Sequence, residues 1–212
     1  MAFFDKKPKV FVIGCNKTGT TSVAEALRML DWKVAPQEPA ELLLEDWGRR
    51  DFRALVRFCE RAEAFQDIPF SLDWTWVALD YAFPRSRFIL TVRGNADEWY
   101  ESLTRFHTKI VGKGRLPTAQ DLREFRGLYP GWLWRVQQLV YGIDEKTLYD
   151  RDIYIRNYEA HNAEVLRYFR DRMHDLLVLD IAQPDAMQEL CNFLGVPDQG
   201  LKMPHLNTSR DH

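Results

Sequence analysis

Residues Lys9 to Ala35 constrain this chain more than any other stretch, because they read in order as a buried strand, a glycine-bracketed loop and an amphipathic helix. Val10 to Ile13 is a continuous apolar run rich in β-branched residues. Val23, Ala26, Leu27 and Leu30 then recur at helical spacing. Gly14 and Gly19 bracket the turn between them, so Thr20, Thr21 and Ser22 open the helix. Backbone N–H groups without partners, the positive end of the helix dipole and the nearby Lys17 make such a terminus an anion site.

The same alternation runs through the chain. Strands are expected at 9–14, around Lys33 to Ala35, near 62–67, at 87–92 and at 176–180. Helices are expected at 20–31, 39–45, 51–61, 71–82, 97–110, 119–125, 130–141, 144–172 with a break, and 184–194. This pattern predicts an α/β fold, a mostly parallel central sheet covered by helices on both faces. With 212 residues, 46% of them hydrophobic, the chain is long enough for one substantial core and short for two. A single domain over 1–212 is expected, with a helical lid or substrate region at about 108–150.

Spacing in the loop selects the anion. Gly14 to Thr21 fits the nucleotide-binding pattern G-x-x-x-x-G-K-[ST] at both glycines and at Thr21, but Thr20 stands where the lysine belongs and the lysine has moved to Lys17. In phosphate-transferring NTPases that lysine reaches the terminal phosphates and the following hydroxyl binds magnesium. Its displacement points away from ordinary ATP or GTP hydrolysis, towards a shorter donor with one transferable group at its 5′ end. Cys15 invites a phosphatase reading, but a C-x5-R loop needs arginine where Thr21 stands.

A second anion site is legible at the strand ending in Arg93. A guanidinium stays charged and makes forked hydrogen bonds to phosphate, and ligands of open α/β sheets bind at the carboxyl ends of the strands. The competing role is a surface arginine paired with Asp97 or Glu98.

Gly14-Cys15-Asn16-Lys17-Thr18-Gly19-Thr20-Thr21-Ser22 resembles the 5′-phosphosulfate loop of sulfotransferases that use 3′-phosphoadenosine 5′-phosphosulfate, PAPS. Arg87 to Leu103 is similar to that family's 3′-phosphate site, with Arg93 at the strand end and Ser102 on the following helix. Family examples more often read R-D-P with the serine eight places on; here Gly94-Asn95 follow and Ser102 is nine away. The resemblance continues through Tyr158 to Asn162, Leu176 to Asp180, the stretch from Leu190 to Pro197, and Pro204 to Asn207, with 108–150 the least matched part. It implies a three-layer α/β/α, P-loop NTPase-like fold and transfer of a sulfuryl group from PAPS, without a metal, to a hydroxyl or amine of a small-molecule or carbohydrate acceptor. Carried over residue by residue, the cofactor-binding set is Asn16, Lys17, Thr18, Gly19, Thr20, Thr21, Ser22, Arg93 and Ser102.

Catalysis then needs a cation at the sulfuryl group and a base for the acceptor. Lys17 is the natural cation. For the base, Asp67-Ile68-Pro69 resembles a carboxylate version of the His-Leu-Pro of cytosolic sulfotransferases, and the apolar neighbours Phe65, Ile68 and Phe70 disfavour its charged form. Capping of a helix near Ser71 is the structural alternative for Asp67. His107 is the competing base and Asp73 a third. Trp132 and Trp134, in an aromatic stretch suited to a substrate lid, serve equally to pack helices. His161 reads as a helix-packing residue, and Pro204 to Asn207 either folds back towards the cofactor or packs on the surface.

With a net charge of −2, interspersed signs and no basic block beyond Lys6, Lys7 and Lys9, nothing suggests a nucleic-acid partner, and none is expected. Three cysteines without metal-ligand spacing favour a reducing compartment, no apolar run approaches bilayer length, and the first strand starts within ten residues of Met1. A cytoplasmic protein is expected, without a membrane partner. Two alternatives remain open: a P-loop kinase using Asp180 to hold magnesium, and a non-catalytic nucleotide-binding protein.

Overall fold

The computed structural model describes residues 7–206. Four strands, β1 (Val10–Val12), β2 (Ala64–Gln66), β3 (Arg87–Thr91) and β4 (Leu176–Leu179), form one parallel sheet in the order β2-β1-β3-β4. Val10 pairs with Ala64 on one side and Arg87 on the other, and Phe88 pairs with Leu176. Chain order reverses direction across the sheet between β1 and β3. Their carboxyl ends therefore flank the crevice where sheets of this kind bind ligands.

Side chains of period two divide β1 between two cores. Val10 and Val12 face α1 (Thr20–Met29) and α10 (Ala186–Leu194), meeting Val23, Leu27 and Leu190. Phe11 and Ile13 face α4 (Arg53–Cys59), α5 (Thr75–Ala82) and α9 (Arg151–Phe169), meeting Leu55, Leu79 and Phe169. The result is the expected three-layer α/β/α arrangement. A third cluster joins α6 (Ala96–Ile110), α7 (Ala119–Glu124), α8 (Trp132–Tyr141) and α9 through Trp99, Leu122, Trp134 and Tyr154.

Several boundaries differ from the sequence expectation. Residues 33–35 supply only an isolated bridge, Val34 to Ala64, instead of a strand. The helix expected at 39–45 is two short ones, α2 (Gln37–Glu41) and α3 (Leu44–Gly48). The helix expected from residue 71 starts at Thr75, because Trp74 takes a left-handed backbone. The break expected within 144–172 falls ahead of the helix: the Asp144 carboxylate accepts from the Lys146 and Thr147 N–H groups in a turn, and Asp150 then caps an unbroken α9. Among the described residues no helix is long and apolar enough to cross a membrane.

Candidate functional site

The loop between β1 and α1 lies against the end of β3. A Cβ on Gly14 would stand 2.1 Å from Thr91 Oγ1, so only glycine permits this approach. Thr18 is fully buried; its N–H and hydroxyl both donate to the Cys15 carbonyl, and the hydroxyl also meets that of Thr91. Lys17 and Gly19 both take positive φ, 67° and 102°. At Gly19 a Cβ would also sit 2.4 Å from Ile181 Cδ1, so the second glycine is required as well.

Two loop carbonyls are held from outside. Trp99 Nε1 on α6 donates to the Asn16 oxygen at 2.9 Å, and Arg93 Nε donates to the Lys17 oxygen, also at 2.9 Å. No protein acceptor engages the Lys17 or Gly19 N–H among the described residues. Gly19, at the N-cap, provides no side-chain cap for α1. The loop and first helical turn thus present donors suited to an anion.

Arg93 is the second element of the site. Its N–H donates to the Tyr158 hydroxyl at 3.1 Å, and Tyr158 stacks on Trp99 with ring centroids 4.6 Å apart. The pairing with Asp97 or Glu98 does not form: Asp97 pairs with Arg151, while Glu98 accepts from Asn95. Asn95 caps α6, and Ser102 follows within its second turn. Lys17, Arg93 and Ser102 line one cleft of about 510 Å³ together with Asn16, Gly19, Thr20, Thr21, Asp67 and His107.

Thr18 and Ser22 are not brought to the cleft. Both are buried, and Ser22 Oγ instead accepts from the Leu206 N–H at 3.0 Å. The C-terminal segment therefore folds back, with His205 and Leu206 lining the cleft and Asn207 lying outside the described residues.

Burial governs the charges. It pushes the Lys17 ammonium below its ordinary value, as do Arg93 and Lys109, while Asp67 opposes them. Lys17 Nζ lies 3.8 Å from the centroid of the Phe106 ring. Burial raises the Asp67 carboxyl, against the opposing pull of the Ile68 N–H, Lys17 and the Thr20 hydroxyl. The Asp67 carboxylate accepts from Ile68 N–H at 2.9 Å and caps no helix, since Ser71 N–H goes to the Asp67 backbone oxygen. His107 is 1% exposed, its Nδ1 is 2.9 Å from the Tyr149 hydroxyl, and burial with Lys17 holds its pKa down at about 3.

Sequence reasoning missed Glu41, which lines the cleft from α2 and is pushed up to about 7 by burial, with Asp67 adding to the rise. No motif marks it, because a five-residue helix far from the loop in sequence carries it. Trp99, Phe106 and Tyr158 were likewise invisible as site residues. Burial pushes the Cys15 thiol up, removing it as a thiolate nucleophile. His161 packs between elements, its Nε2 2.8 Å from the Ile13 oxygen and its Nδ1 3.3 Å from Asp73 Oδ1, and Asp73 lies outside the lining of the 510 Å³ cleft. The Asp180 carboxylate accepts from Ala182 N–H and Gln183 Nε2, closing its own turn. Among the described residues no group of three or more His, Cys, Asp or Glu is placed to hold a metal ion.

No curated protein shows a match to the chain. The model of a sulfotransferase domain matches residues 9–212, which takes in the loop, Arg93, Ser102 and the whole sheet. On that match over nearly its full length, the chain belongs to the sulfotransferase domain family.

Proposed function

We propose that this sulfotransferase uses PAPS as donor and a hydroxyl or amine of a small molecule or carbohydrate as acceptor. One observation carries the reading: the Lys17 loop and Arg93 are joined by a direct hydrogen bond at 2.9 Å and open on the same cleft. A molecule with phosphate at both 5′ and 3′ positions matches two linked anion sites, whereas a nucleoside triphosphate matches the first alone. Bound there, PAPS supplies an activated sulfuryl group on a 5′-phosphate leaving group.

The chain's own residues then divide the work. Loop N–H groups and Lys17 neutralise the charge that grows on the departing phosphate, an interaction strongest in the transition state. Asp67 takes the acceptor proton; its raised pKa brings it nearer that of the hydroxyl it must deprotonate. His107 is held neutral by burial and hydrogen-bonded to Tyr149, which suits a supporting role. Residues 108–150, with α7 and α8, form the lid over the acceptor end. Three free cysteines fit a reducing compartment, and we place the activity in the cytoplasm.

A kinase reading is weakened by Thr20 in the lysine position and by an Asp180 carboxylate committed to its own turn. Arg93→Ala is expected to weaken adenosine 3′,5′-bisphosphate by about a hundredfold, roughly 3 kcal/mol for lost charge-assisted hydrogen bonds. Binding of adenosine 5′-monophosphate should change much less. Calorimetry on both nucleotides checks this, and equal losses would refute the assignment of Arg93 to the 3′-phosphate.

A further inference from the structure

The two ends of the cleft differ in chemistry. Helix α6 runs along it, and the nine residues from Ser102 to Ile110 span about 12 Å. Arg93, Ser102 and Arg105 belong to the first part, and Lys17 lies over Phe106 between the two. Beyond Phe106 the lining is Ile110, Phe125, Trp132, Leu133 and Val136, facing Ile68. Trp132, Val136 and Ile68 belong to one apolar cluster. Asp67 precedes Ile68 of that cluster and acts on Glu41, so the two carboxyls stand together beside the apolar wall; Glu98, Glu101 and His205 also line the cleft, and Lys109 is near enough to lower the Lys17 pKa.

Resting on the donor assignment above, we propose that the acceptor is an uncharged alcohol or phenol with an apolar body, seated between the Trp132–Phe125 wall and the Asp67–Glu41 carboxyl pair. An anionic glycan would bring its charge against the Asp67 and Glu41 carboxyls. A free sugar carries hydroxyls around its whole ring, and those turned to Ile110, Phe125, Leu133 and Val136 would be buried without partners, a penalty an apolar ring avoids. The indole N–H of Trp132 is buried without a hydrogen-bond partner, leaving one unmet donor in this wall. In the transfer, the acceptor oxygen bonds to sulfur as the bridging sulfur–oxygen bond breaks. The electron pair leaves with the 5′-phosphate, and the hydroxyl proton passes to Asp67.

The test measures sulfate transfer from labelled PAPS by the full chain to 2-naphthol, N-acetylglucosamine and heparin, alongside calorimetric binding of adenosine 3′,5′-bisphosphate. Bisphosphate binding with kcat/KM for 2-naphthol at least a hundredfold above either glycan is expected. In Trp132→Ala the KM for 2-naphthol should rise at least tenfold while that for PAPS stays within twofold, and Trp132→Phe should restore most of the loss. Bisphosphate binding with transfer preferentially to a glycan, or with no transfer to 2-naphthol, overturns the acceptor class and leaves the donor assignment standing. Failure to bind the bisphosphate overturns both. The wild-type comparison decides the matter even if Trp132→Ala does not fold.

Discussion

Lys17→Ala is expected to lower kcat by about a thousandfold, roughly 4 kcal/mol of transition-state stabilisation, the size found when one preorganised donor to developing negative charge is lost. The position explains the magnitude. Lys17 sits within the loop on a left-handed backbone, with its ammonium against Phe106 and partly desolvated, so its charge acts through less screening than it would at a surface. Its lowered pKa also sets a limit in pH: kcat/KM should fall on the alkaline side as the ammonium loses its proton, below the ordinary 10.5. Single-turnover measurements separate the loss in chemistry from any loss in binding. A rate within a few-fold of wild type would remove Lys17 from the mechanism.

Asp67→Asn is the second large effect, with kcat reduced by about 100- to 10,000-fold, the range for loss of a general base. Bisphosphate affinity should remain close to wild type. The sign of the pH dependence follows from burial. The carboxyl's pKa is raised above its ordinary 3.8, so the active, ionised form accumulates only as pH climbs through that raised value, and kcat/KM rises with it. Asp67→Asn should abolish this acidic limb. Stability has the opposite sign: a raised pKa means the folded state holds the proton more tightly, so the contribution is present at low pH and lost as pH rises through the folded value. At pH 7 the melting temperature of Asp67→Asn should therefore equal or exceed that of wild type. A large drop in melting temperature with unchanged kcat would make Asp67 a structural residue.

The parts of this site that local chemistry dictates were readable in sequence. Apolar strand, paired glycines and helical spacing specify the loop and α1, and Arg93, expected at a strand end, lies two residues past β3 and on the cleft. Asp67 and Ser102 were reached through motif resemblance, and both lie on the cleft. What escaped depends on tertiary contact. Thr18 and Ser22 sit in the phosphate-loop motif, yet packing turns one against Thr91 and commits the other to the Leu206 N–H. Glu41 enters the cleft only because the segment after α1 folds over Ile68, and no spacing rule links it to Asp67. The Trp99–Tyr158 stack joins α6 to α9 and ties them to the Asn16 carbonyl and the Arg93 N–H, a relation between residues far apart in sequence. Strand edges failed for a related reason: Val34 has the composition of a strand, but a single bridge to Ala64 is all its position permits.

The central claim is that two linked sites grip the two phosphates of one adenosine. Isothermal titration of the wild-type chain with adenosine 3′,5′-bisphosphate, set beside ATP with magnesium, tests it before any acceptor is identified. The account predicts that the bisphosphate binds at least a hundredfold more tightly than ATP with magnesium. Equal affinity for both, or tighter binding of the metal-bound triphosphate, would contradict it.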